Sequence, residues 1–190
     1  MSAPDPIRIR SAAVEDAAGI ARVQVATWRT AFRGIVTDRA LERLDVERRT
    51  ERWREIVARE GDLAFIAEGD RGGSPCVVGF IDGGANRDTE PPFDAFGGEL
   101  YAIYVLQSHQ RGGTGTRLVG ALVDALLRAG HGSMLVWTFE ASPFRAFYEG
   151  LGGRRVGTKE IEIDEVPYVV VAYGWDDLGA LRLRLGGDES

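Results

Sequence analysis

Cysteine is almost missing from this sequence of 190 residues: Cys76 is the only one. An intrachain disulfide and a cysteine-based zinc site are therefore both excluded, and a reducing interior is the expected setting. Histidine is nearly as scarce. His109 and His131 lie in polar or glycine-rich contexts without a second ligand at helical spacing, so no metal is expected. A run of about 18 apolar residues is also lacking, and the opening "MSAPDPIRIR" has acids and prolines where a signal peptide needs a basic and then an apolar segment. The expectation is a cytoplasmic protein with no membrane partner. Positive charge is in deficit too. With 23 basic against 29 acidic residues and a net charge of −6, the chain offers nothing to nucleic acid and suits a cationic or amine ligand better.

What the sequence does have is enough apolar residues, 44%, to bury one substantial core. A single domain over residues 1–190 is expected, its core at about 7–175 and a C-terminal tail at about 176–190. "IRIR" alternates as a half-buried strand does. Apolar residues from Ala17 through Ile20, Val25, Trp28 and Phe32 then recur at helical spacing. Thr37 is placed to cap a second helix, with a break near Asp45. Strands are expected at 62–68, 76–84, 99–106 and 133–139, helices from about Thr114 to Ala129 and after Ser142, and a final hairpin in "RRVGTKEIEI" and "VPYVVVAYGW". The order predicts an α/β (α+β) domain: a central mixed, mostly antiparallel twisted sheet of about seven strands, two N-terminal helices and two crossover helices.

The stretch "SHQRGGTGTRL" places three glycines between a strand and a helix. Backbone N–H groups exposed at a helix start, aligned with the positive end of its dipole, make a seat for phosphate. A nucleoside-triphosphate loop would need Lys followed by Ser or Thr, but Thr116 and Arg117 stand in the wrong order. A dinucleotide fingerprint would need a third glycine where Leu118 stands. The remaining pattern, Gln or Arg, two residues, Gly, one residue, Gly, is met by Gln110, Gly113 and Gly115.

With "FYEGLGG" downstream of another strand, this pattern resembles the GCN5-related N-acetyltransferases, and the order of elements is similar over nearly the whole chain. The resemblance implies acetyl-coenzyme A as cosubstrate. The main chain of Ile103, Tyr104 and Val105 would pair with its pantetheine arm, and the N–H groups of Arg111, Gly112, Gly113, Thr114, Gly115 and Thr116 would hold its phosphates. Ser142 stands where the family commonly has Asn, which puts that side-chain contact in question.

An amine must lose a proton before it attacks a thioester, and the departing sulfur gains from receiving one. By resemblance Tyr148 is the acid at the sulfur, and the Val105 N–H meets the carbonyl oxygen. The same resemblance implies Glu99, eleven residues before Gln110, as the base, with a water relay, Asp82 or Glu140 as alternatives. Trp28, Phe32 and Phe93 are the expected acceptor contacts, and the acceptor is a small amine or a protein amino group. Family members often dimerise, and the final hairpin offers a homodimer surface. A second class stays open: a catalytically silent acyl-coenzyme A sensor or scaffold.

Overall fold

The computed structural model describes residues 7–70 and 74–186. Part of the expected turn at 69–75 and the last residues of the tail lie outside the described residues.

β1 (Arg8–Ser11) leads into α1 (Ala17–Ala31), which buries Ile20, Ala21, Val23 and Val25. The second helical segment is two helices, α2 (Asp38–Glu42) and α3 (Val46–Ala58). Thr37 caps the first, accepting the Ala40 N–H at 3.4 Å. The break falls at Asp45, which is extended and accepts the Arg48 N–H at 2.8 Å, starting the next helix. β2 (Leu63–Asp70), β3 (Pro75–Ala85) and β4 (Gly98–Val105) follow, then α4 (Thr114–Arg128), β5 (Met134–Phe139), α5 (Arg145–Gly150) and the hairpin β6 (Arg154–Ile163) and β7 (Val166–Trp175).

The strands form one sheet in the order β1-β2-β3-β4-β5-β7-β6, in which only β4 and β5 run parallel. That pair touches only briefly, Gly98–Leu100 against Met134–Val136, and then diverges. A bulge helps to turn β4 away. Asp82 pairs with Ala102 and Gly83 with Leu100, which leaves Tyr101 without a partner on β3.

Each face of the sheet has its own core. Leu118, Leu122 and Leu126 of α4 pack on Ile81, Leu100 and Val136 on one side. Ile20, Ala21 and Trp53 pack on Ile66 and Phe80 on the other, where the indole N–H of Trp53 is bonded to the buried Gln24.

Two features depart from the sequence expectation. The tail region carries a helix, α6 (Leu178–Gly186), whose Leu178, Leu181 and Leu185 are buried against the α4 side while Leu183 faces out. And α5 begins at Arg145, not beside Ser142: residues 142–144 form a preceding turn in which the Ser142 hydroxyl accepts the Phe144 N–H at 3.2 Å.

Candidate active site

Beyond β4 the chain makes a short turn, and the Gln110 side chain folds back to donate to the Val105 carbonyl at 2.9 Å. Arg111 and Gly113 both take positive φ, 61° and 79°. The second is the N-cap of α4, with no side chain capping the helix. This curl aims successive N–H groups inward, and those of residues 111–116 meet no acceptor among the described residues. Thr114 adds a buried hydroxyl that is equally without a partner. A Cβ at Gly112 or Gly113 would touch nothing within 4 Å among the described residues, whereas one at Gly115 would press on the Phe147 ring at 3.3 Å. A run of free donors at a helix start, with space in front of it, fits a diphosphate.

The divergence of β4 from β5 opens a cavity of about 1200 Å³ bordered by residues from both faces of the sheet. The Leu106 N–H bonds the Val78 carbonyl, so by antiparallel alternation the main-chain groups of Val105 and Ile103 turn away from β3 toward this gap. Of the residues singled out in the sequence, Ile103, Tyr104, Val105, Gln110, Arg111, Gly113, Gly115, Thr116, Ser142 and Tyr148 border the cavity, as do Glu99, Trp28 and Phe32. Gly112 and Thr114 flank it. Phe93 does not reach it: it is buried against Leu135, Ala172 and Trp137, where it pins the connection between β3 and β4 to the sheet.

Tyr148 is 7% exposed, stacked on Tyr173, and its hydroxyl makes no hydrogen bond among the described residues. Burial pushes its phenol well above the ordinary range, and the charge of a nearby Tyr104 phenolate adds to the shift. The group therefore stays protonated at neutral pH.

Glu99 is 4% exposed and fully engaged. Arg87 donates to it from Nη2 at 2.6 Å, from Nε at 3.0 Å and from its main-chain N–H at 3.1 Å, while its guanidinium lies over the Tyr101 ring. Beside this pair is a second one. Asp88 accepts the Trp137 indole N–H at 2.7 Å and the Lys159 ammonium at 2.8 Å, and the ammonium sits over the Trp137 ring. Sequence reasoning missed Arg87, Asp88, Trp137 and Lys159. The available signal was Lys159, the only lysine in the sequence, within an alternating strand.

Residues 77–161 match the family model of FR47-like proteins. The uncharacterized N-acetyltransferase YuaI of Bacillus subtilis is 35% identical over 179 residues, which span 94% of this chain and 98% of the relative. Among solved structures, an N-acetyltransferase from Staphylococcus aureus Mu50 shares the fold with a TM-score of 0.66 at 18% identity, covering 92% of this chain and 99% of its own. PaiA N-acetyltransferase from Thermoplasma acidophilum, in complex with coenzyme A, does so with a TM-score of 0.64 at 16% identity, over 90% of this chain and 99% of its own. The relative that is 35% identical over 94% of the chain makes this protein an acyltransferase, and a split sheet with free donors at the split fits that class. The chain belongs to the GCN5-related N-acetyltransferase family.

Proposed function

We propose that the chain transfers the acetyl group of acetyl-coenzyme A to an amine by direct attack within the cleft between β4 and β5. The observation that carries this reading is the convergence on one cavity of the free N–H run at α4, the inward main chain of Ile103 and Val105, and the unbonded Tyr148 hydroxyl. Acetyl-coenzyme A supplies a thioester-activated acetyl group. The new C–N bond replaces the C–S bond, and the proton lost by nitrogen ends on sulfur.

The Val105 N–H is a fixed donor for negative charge that develops on the carbonyl oxygen. Tyr148 donates to the departing sulfur. A thiolate with an ordinary pKa of about 8.5 is a weaker base than this buried phenolate, so Tyr148 stabilises sulfur by hydrogen bonding and releases its proton only as it regains another. The amine's proton leaves through a relay of water that ends at Glu99, whose carboxylate Arg87 holds in place. Residues 111–116 anchor the diphosphate, and Ser142 shapes the turn under the pantetheine path.

Thiol release from acetyl-coenzyme A across a library of amines tests the reading. Acceptor-dependent turnover is expected, with kcat lowered by about tenfold or more in Tyr148→Phe at little cost in coenzyme affinity. Undiminished kcat in that variant removes Tyr148 from the acid's role. Tight coenzyme binding without turnover on any acceptor favours a sensor or scaffold.

A further inference from the structure

The acceptor half of the cavity holds more hydrogen-bond donors than acceptors. Glu99 has both oxygens occupied by Arg87. Asp88 has both occupied as well, Oδ2 by Trp137 and Lys159 and Oδ1 by Lys159. The cations are not exhausted. A guanidinium carries five N–H donors and an ammonium three, and Arg87 Nη1 has no hydrogen-bond partner among the described residues. The Arg87 side chain is 61% exposed and that of Lys159 36%, and both border the cavity.

These donors stand apart from the reacting end. Leu100 is level with Val136 across the parallel pair, so Trp137, which carries Lys159, is level with Tyr101, over which Arg87 lies. Tyr104 is three residues further on, about 10 Å along a strand. The surface between is apolar. Trp137 and Phe139 share one face of β5, Lys159 and Ile161 share one face of β6, and Trp28 of α1 and Phe32 just past its end close over them. At the reacting end the buried Trp28 indole N–H, beside the Tyr104 hydroxyl, meets no acceptor in hydrogen-bond geometry among the described residues.

Resting on the transfer reading above, we infer that the acceptor is an elongated amine that ends in a carboxylate. Its amino group lies at the Tyr104 end, its apolar spacer along Trp28, Phe32, Phe139 and Ile161, and its carboxylate on the spare N–H groups of Arg87 and Lys159. An α-amino acid, with the two groups separated by a single carbon, reaches only one end. The net charge of −6 is a property of the whole surface and does not oppose this local surplus of donors.

The test is an acceptor series from glycine to aminooctanoate, run beside the alkylamines of equal length. The specificity constant is expected to rise to a maximum at about five to seven methylenes, each advancing the chain roughly 1.3 Å. At that length the amino carboxylate should exceed its alkylamine by about tenfold or more, and Lys159→Gln should bring this ratio toward one while Lys159→Arg restores most of it. A flat length profile, or a ratio that Lys159→Gln leaves in place, overturns the inference. Heptanoate binding to the coenzyme A-loaded protein, followed by tryptophan fluorescence, reads the carboxylate site without turnover. Binding that Lys159→Gln weakens, with no acceptor acetylated, sustains the carboxylate site and sinks the transfer reading. Free turnover of alkylamines without heptanoate binding does the reverse.

Discussion

Gly112 has an ordinary backbone φ and, among the described residues, no neighbour that a Cβ would strike, so neither conformation nor their packing calls for glycine there. Gly113, by contrast, needs its left-handed φ of 79° to start α4. The two positions separate a structural role from a binding one. Gly112→Ala is expected to leave stability within about 0.5 kcal/mol of the parent, while the KM for acetyl-coenzyme A rises several-fold as the new methyl crowds the diphosphate. Chemical denaturation beside steady-state kinetics checks both halves. A large loss of stability with unchanged KM would return this glycine to the fold. The glycine pattern was legible in the sequence because consecutive residues build this part of the site. Lys159 was not, since its meaning depends on Asp88 and Trp137, which come from a loop and another strand.

At the scale of elements, periodicity and capping carried most of the reading: the stripe of α1, the Thr37 cap, the break at Asp45, and the strand before and the helix after the glycine loop all stand where the pattern put them. Helix α6 escaped because residues 176–190 read as a tail, and Gly179 and Gly186 weaken the helical pattern there. Its buried leucines, at 178, 181 and 185, follow helical spacing nonetheless. It holds on through the Leu178 N–H to the Gly132 carbonyl and through Arg182 to Asp124 on α4. Leu181, 3% exposed, packs into the same core as Leu118 and Leu122. Leu181→Ala should therefore cost about 2–4 kcal/mol, read as a lower urea midpoint with an unchanged m-value. A cost near zero would mean that α6 adds nothing to the domain's cohesion. The corresponding lesson for Ser142 is that a serine before proline announces a turn as readily as a helix start, and here the turn came first.

Across the whole molecule, the bulge at Tyr101, which helps to split the sheet, lies opposite a buried carboxylate, Asp82, that does not border the cavity. Asp82 is 5% exposed, one of its oxygens has no hydrogen-bond partner among the described residues, and Asp62 lies near it, with Arg59 and Arg87 as the opposing charges. Burial, with the field of Asp62 added, pushes its carboxyl up to about 7 from an ordinary 3.8. The sign of the consequence follows from proton counting. Between these two values the unfolded chain has given up the proton and the folded chain still holds it, so stability falls as pH rises through this window and the loss is complete above about 7. Asp82→Asn removes that dependence while all other titrations remain common to both proteins. Relative to the parent, the variant should gain about 2–3 kcal/mol between pH 5 and pH 8, measured as the difference in unfolding free energy from urea titrations at the two pH values. Parallel stability profiles for parent and variant would show that Asp82 is charged in the fold throughout, held by Arg59 and Arg87 against its burial.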